Sequence, residues 1–351
     1  MALLAACGPA SAPTLGSHTT MGSSPSARST ATATAVPSAP AAAQPLERTY
    51  ERVIAEVLPS IVQINTRVGL GSGIVYDAEG HIVTNAHVVG QATEMNVTLA
   101  TGGAPRRARL VKTFTAGDLA VIKVSDPQGL QPARFGDSAK LRVGQLVLAM
   151  GNPLGLSGSV TEGIISALGR TVTEPQDGNS PGATIAGAVQ TSAAINPGNS
   201  GGALVDLSGN VIGIPTLAAS DPTVGGAASG IGFAIPSNTA LDITGQIIKY
   251  GRVVNSHRAA LGIRGSTVVG VDGDPAGVGV AAVERAGPAE RAGIRQGDLI
   301  IAVGDRETPT LATLTETLTT YQPGDKVAVK IIKSNGSTDT VTVTLGQLPG
   351  E

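Results

Sequence analysis

The stretch NPGNSGG (196–202) surrounds Ser200 with three glycines, a pattern that suits a nucleophile held by its own backbone. Glycine serves where the chain must take unusual dihedrals or approach another group closely. An oxyanion needs backbone N–H groups aimed at one point beside the attacking atom. A serine hydroxyl is a weak nucleophile near neutral pH, so it needs an adjacent base, and that base needs a third group to orient it. Of the four histidines, His18 lies in a low-complexity tail, His81 follows the turn AEG at a strand start, and His257 falls between two sequence patterns. His87 remains, in TNAHVV, where an apolar run gives way to a turn. The orienting carboxylate belongs at a protected position bordering a core strand, which Asp118 occupies directly before LAVIKV. Asp126 precedes proline, Asp137 sits in the turn FGDSAK and Asp177 in a polar loop, all turn-forming contexts. Read singly, His87 also suits a structural histidine and Asp118 a backbone cap.

The elements that must position these groups change character twice along the chain. Residues 8–45 are almost wholly Gly, Ala, Ser, Thr and Pro with only Arg28 charged, too little apolar surface to offset ordering, so a disordered tether is expected. PLERTYERVIAEVLPSIVQI then sets Val53, Ile54, Val57 and Leu58 at helical spacing until Pro59. From there to about residue 250, short Val/Ile runs such as GSGIVYD, HIVTNAHVV, LAVIKV, QLVLAM, GNVIGI and GIGFAI alternate with Gly, Asp, Asn and Pro turns, predicting an antiparallel barrel or sandwich. The stretches 173–187 and 218–230 read as loops too polar and glycine-rich to pack. After GRVVNSHRAA, the runs LGIRG, GVAAVE, DLIIAV and KVAVKIIK read as strands, and TLATLTETLTTY sets Leu311, Leu314 and Leu318 on one helical face, predicting a small α+β unit.

Composition removes several classes of function. A net charge of −2 with 14% charged residues offers no basic face for nucleic acid. A single cysteine rules out a disulfide framework, and no Cys/His cluster suggests a metal or cofactor. With no tryptophan and 2% aromatics, the core must be built from Val, Ile, Leu and Ala. GLGSGI near residue 70 does not meet the dinucleotide pattern and reads as strand-turn glycine. GNSGG satisfies the G-x-S-x-G elbow of α/β-hydrolases, but that elbow requires a following helix, whereas GGALVDLSGNVIGI reads as strand, turn, strand.

The order His87, Asp118, Ser200 matches that of chymotrypsin-like enzymes. Taken together, GSGIVYDAEGHIVTNAHVV, DLAVIKV, GNPLG, TEGIISALGR, QTSAAINPGNSGGAL and GIGFAIP resemble the HtrA/Deg serine proteases from about residue 50 to the C-terminus. The resemblance implies a mostly β fold: a chymotrypsin-like double β-barrel protease domain (46–252) after the tether (1–45), then a PDZ domain (257–349). It places His87 and Asp118 on the first barrel and Ser200 on the second, with an oxyanion hole formed by Gly198 and Ser200 and shaped by Asn199. The position six before the nucleophile, acidic in trypsin-like pockets, is Ala194, and the neighbouring wall Ile214, Pro215 and Thr216 carries no charge, so small aliphatic side chains are expected before the scissile bond. Relatives commonly carry aspartate where this chain has Ser192, which alters the bracing of the activation loop. The C-terminal unit resembles a permuted PDZ domain whose Leu261, Gly262 and Ile263 receive the C-terminal carboxylate of a peptide. Finally, LLAACG is similar to a bacterial lipobox, implying lipidation of Cys7 and export to the cell envelope, although only six residues precede it. The family implies a homotrimer acting on unfolded or damaged proteins, or alternatively a peptide-activated chaperone or sensor.

Overall fold

The computed structural model describes residues 44–67, 69–152, 158–174, 182–196, 198–221 and 226–350, with side chains at all of these except 174, 217–221 and 226–229. Cys7, His18, Asp177 and the stretch 1–43 lie outside the described residues. The first element, α1 (Gln44–Val57), already starts within the span expected to be tether, and it buries Val53 and Val57. Pro59 turns its end into one 3₁₀ turn. No helix among the described residues is long and apolar enough to cross a membrane.

Strands β1 (Ile61–Asn65), β2 (Leu70–Val75) and β3 (His81–Thr84) precede a one-turn helix α2 (Ala86–Val89), followed by β4 (Glu94–Leu99), β5 (Arg106–Phe114) and β6 (Leu119–Val124). They close a barrel in the order β1-β2-β3-β6-β5-β4. A second barrel is built from β7 (Leu146–Gly151), β8 (Ser159–Glu174), β9 (Ala183–Thr191), β10 (Ala203–Asp206), β11 (Val211–Asp221) and β12 (Gly226–Pro236), in the order β10-β11-β12-β9-β8-β7. Helix α3 (Ser237–Tyr250) follows, ending at Gly251.

Two-sided burial explains why LAVIKV carries so little polar alternation. In β6, Ala120, Ile122 and Val124 fill the first barrel, while Leu119 and Val121 join a cluster shared by both barrels. The second barrel repeats the device in β7, with Val147 and Ala149 inside and Leu148 and Met150 in the shared cluster. Each such Val, Leu, Ile or Met side chain contributes about 1.5–3 kcal/mol of burial. Phe114 is the one fully buried aromatic among the described residues, in keeping with the aliphatic core the composition requires.

The two stretches read as unpacked loops are in part strand. β8 runs to Glu174 and β9 begins at Ala183, with Val172 opposite Ile185 and Thr173 opposite Thr184. Likewise β11 reaches Asp221 and pairs it with Gly226 of β12. Backbone hydrogen bonds extend a ladder through polar residues once both strands are anchored in a core, and Ala183 and Ile185 supply that anchor.

The C-terminal unit contains β13 (Ala259–Ala260), β14 (Ile263–Val269), β15 (Pro275–Val283), α4 (Pro288–Arg291), β16 (Leu299–Val303), β17 (Arg306–Glu307), α5 (Leu311–Leu318), β18 (Lys326–Ile332), β19 (Thr338–Thr344) and β20 (Gly346–Gln347). Its main sheet runs β14-β15-β16-β18-β19 over a core that includes Leu261, Val278, Ile300, Leu314, Val329 and Val343. Polar contacts tie it to the barrels and to α3: Arg258 Nη1 donates to the Ala116 carbonyl at 2.5 Å, the hydroxyls of Thr171 and Thr319 lie 3.2 Å apart, and His257 Nε2 lies 3.3 Å from Asp242 Oδ2. Burial lowers the Arg258 pKa to about 10.

Candidate active site

The apolar strand β3 ends at Thr84, and the single turn of α2 buries Ala86, Val88 and Val89 while leaving the His87 ring 22% exposed. Asp118 ends a 3₁₀ turn (Thr115–Gly117) with φ 53° and ψ 42°, a left-handed conformation that aspartate and asparagine tolerate better than most residues. Its carboxylate is only 2% exposed. The His87 backbone N–H donates to Oδ1 at 3.0 Å, and His87 Nδ1 lies 2.9 Å from Oδ2 and 3.1 Å from Oδ1. A carboxylate only accepts, so Nδ1, the ring nitrogen that faces it, carries a proton. Asn85, buried at the start of α2, donates from Nδ2 to the Asp118 carbonyl at 3.0 Å and locks the turn to the helix.

Ser200 comes from the loop joining β9 to β10. Asn199 N–H donates to the Asn196 carbonyl at 3.0 Å and Gly202 N–H to the Asn199 carbonyl at 2.9 Å, a tight double turn. Gly198 and Gly201 have φ of 101° and 79°. A Cβ at Gly201 would lie 2.2 Å from the Ser72 carbonyl oxygen, and one at Gly202 would lie 2.1 Å from that of Met150. Among the described residues no oxygen accepts from the N–H of Gly198 or of Ser200. Asn199 differs, because its own N–H is committed to Asn196 and its side-chain Nδ2 reaches the Ala194 carbonyl at 3.3 Å; it shapes the loop without adding a donor.

Thr216 joins the two halves of the site. The β11–β12 register skips between Pro215 and Leu217, a bulge that releases Thr216 from the ladder. Its carbonyl accepts from Ser200 Oγ at 3.0 Å, and its hydroxyl donates to Asp118 Oδ2. Asp118 and Ser200, from different barrels, are thus held one residue apart. Thr216 was expected to line the substrate pocket, and its hydroxyl instead faces the carboxylate. A hydrogen bond to a charged group contributes about 1.5–3 kcal/mol. Thr216→Val, which keeps the shape and loses the hydroxyl, is therefore expected to lower kcat at least tenfold with little change in KM, measurable on a chromogenic peptide.

The other expected pocket residues separate. Ile214 is 0% exposed and packs in the shared core, so its side chain faces away from solvent. Pro215 is buried and gives its carbonyl to the Gly201 N–H at 3.0 Å, while Ala194 is exposed. Ser192 Oγ accepts from the Ile164 N–H at 3.0 Å, so the serine retains an acceptor at a position where aspartate would offer one. His81 lies at the other end of β3 from His87, and its Nδ1 is 2.6 Å from Asp77 Oδ2, closing the β2–β3 turn. Sequence reasoning found neither the Asp118 contact of Thr216 nor any role for Ser72.

In the C-terminal unit, Leu261 is buried with its carbonyl accepting from Ala289 N–H, Gly262 has φ 70°, and Ile263 opens β14. The outer edge of β14 is unpaired in the sheet order, and a groove of about 540 Å³ beside it is lined by Leu261, Gly262, Ile263, Leu311 and Leu318, with Arg258 at its margin. An extended peptide adding a strand to such an edge, with its end at a backbone turn, is a recurring mode of recognition.

Residues 71–214 match the model of the trypsin-like peptidase domain, and residues 253–345 that of the PDZ domain. The chain is 39% identical to the serine protease PepD of Mycobacterium tuberculosis over 335 residues, covering 90% of this chain and 69% of that protein. It is 38% identical to a probable periplasmic serine endoprotease DegP-like of Pseudomonas putida, covering 80% of this chain and 57% of that one. The chain therefore spans less than two thirds of the DegP-like relative. Among solved structures, the HtrA-type protease AlgW with a decapeptide superposes with a TM-score of 0.56 at 32% identity, covering 86% of this chain and 99% of that one.

Proposed function

The chain belongs to the HtrA/Deg family of trypsin-like serine proteases, and from that premise we infer that it is an exported endopeptidase whose His87, Asp118 and Ser200 act as one unit. The observation that carries this reading is the linkage of His87 Nδ1 to the Asp118 carboxylate, and of that carboxylate through Thr216 to Ser200. In the reaction, the Ser200 hydroxyl turns from the Thr216 carbonyl to His87 Nε2 and attacks a peptide carbonyl as Nε2 takes its proton. Asp118 fixes the ring and stabilises its charged form. The N–H groups of Gly198 and Ser200 receive the developing oxyanion, each contributing about 3 kcal/mol to the transition state. His87 then returns the proton to the leaving amine, and water releases the acyl group by the reverse sequence. Exposed Ala194 offers no charge at the site, which favours small aliphatic side chains before the scissile bond.

Substrates are unfolded or damaged proteins of the cell envelope, a reading supported by relatives named as periplasmic endoproteases. The C-terminal unit binds peptide C-termini through Leu261, Gly262 and Ile263, in line with the peptide carried by AlgW. A homotrimer and a lipid anchor at Cys7 complete the proposal by family resemblance. A second reading is a protease that rests until peptide binds. It is favoured by the hydrogen bond that directs the Ser200 proton to Thr216.

Labelling with a fluorophosphonate separates these readings, with Ser200→Ala as control and a peptide of apolar C-terminus added or omitted. Labelling of wild type alone supports a standing protease, and labelling only with peptide supports the resting form. Failure to label in either condition overturns the enzyme and leaves a peptide-binding protein.

A further inference from the structure

We propose that Ser72, a residue of the first barrel, is a positioning residue for the oxyanion site of the second; this rests on the serine protease reading above. β3 pairs with β2 only at Ile74 and Val75, so the edge of β2 is open at Ser72. The nucleophile loop occupies that edge. Ser72 N–H donates to the Ser200 carbonyl at 2.9 Å, and Ser72 Oγ donates to the Gly198 carbonyl at 2.5 Å. The same Oγ accepts from Asn152 N–H at 2.8 Å, where β7 ends, and the Ser72 carbonyl accepts from Thr84 Oγ1 at 2.6 Å. The residue is 0% exposed, and every polar atom it has is engaged.

Those partners are the ones an oxyanion site must hold still. The N–H of Ser200 lies in the peptide unit between Asn199 and Ser200, whose carbonyl accepts from Gly202. The units on either side end in the Gly198 and Ser200 carbonyls, and both of these are held by Ser72. With its neighbours pinned, the unit carrying the Ser200 N–H cannot rotate away from the cleft. Alanine at 72 would free the Gly198 carbonyl and leave Asn152 N–H without its acceptor, while the Ser200 carbonyl would stay bound. The loop would persist with one donor less well aimed. Preorganised donors act on the transition state more than on bound substrate.

The test compares wild type, Ser72→Ala and Ser200→Ala for hydrolysis of a chromogenic peptide, together with inhibition by a peptide boronate, which places an oxygen in the oxyanion site. Ser72→Ala is expected to lower kcat by about 10- to 100-fold, to leave KM within about twofold, and to weaken the boronate by the same factor as kcat/KM. Amide exchange at residues 198–202 is expected to quicken. Should Ser72→Ala not fold, Ser72→Cys keeps the branching with a somewhat larger atom, supplies only a weak donor and acceptor, and is expected to lose boronate affinity in the same sense. Unchanged kcat in a folded variant overturns the proposal. So does a loss shared equally by KM and kcat, or one that disappears below the variant's lowered melting temperature, since either marks plain packing. If wild type cleaves no faster than Ser200→Ala, the protease reading itself is what fails, and unaltered exchange at 198–202 then overturns the holding role as well.

Discussion

Asp118→Asn is expected to lower kcat by about ten-thousand-fold while leaving the fold intact and KM within a few fold. Asparagine is the substitution to use because residue 118 sits at φ 53°, where most side chains would strain the turn and asparagine does not. The backbone N–H of His87 and the hydroxyl of Thr216 both donate to the carboxylate. The backbone N–H can only donate, so it holds the amide oxygen in the place of Oδ1 and leaves the amide nitrogen in the place of Oδ2, beside His87 Nδ1 and the Thr216 hydroxyl, which turns to accept. That nitrogen donates, so the ring must carry its own proton on Nε2, where it can no longer take one from Ser200. Steady-state kinetics and thermal unfolding on the same preparation check the two halves of the expectation. Combining the change with Ser200→Ala should reduce activity no further than Ser200→Ala alone, because groups acting as a unit are not additive. A loss below tenfold would remove Asp118 from the proposed unit.

The second large effect falls on a residue with no side chain. A Cβ at Gly202 would lie 2.1 Å from the Met150 carbonyl oxygen and 3.0 Å from that of Asn199, both backbone atoms that cannot swing aside. Met150 faces Ala203 in the β7–β10 ladder, so relief must come from moving the nucleophile loop. Gly202→Ala is expected to cost about 3 kcal/mol of stability, lowering the melting temperature by roughly 6–12 °C for a domain of this size. A displacement of about 1 Å at Ser200 would reduce kcat/KM about a hundredfold even well below that temperature. Calorimetry and a kinetic assay at low temperature test each part, and a variant matching wild type in both would refute the close approach.

Ser200, His87 and Asp118, the proposed catalytic residues, each leave a local trace in the sequence. Glycines crowd the serine, apolar residues precede the histidine, and a doubly buried strand follows the aspartate. Thr216 and Ser72 leave none. Their decisive contacts, to Asp118 and Gly198, lie 98 and 126 residues away and exist only once the barrels meet. A bulge made Thr216 available, and an open strand edge did so for Ser72; neither is visible in residue types. Ile214 was misjudged for a related reason, since one side of a strand carrying only uncharged residues looks the same whether it faces a pocket or the core. The strand ends within 173–187 and 218–230 were read from side chains, while their ladders are made by backbone.

The division of the site between two barrels bears on how such a chain is made. Synthesis proceeds from the N-terminus, and domains fold largely in that order. Every strand of the first barrel has been made once Val124 is reached, while Ser200 is still 76 residues further along the chain. A nascent chain at that stage lacks both Ser200 and Thr216, whose hydroxyl donates to Asp118. On the proposed mechanism, hydrolytic power arrives only with the second half, so the molecule passes its most vulnerable moments, unfolded and beside others of its kind, unable to cut.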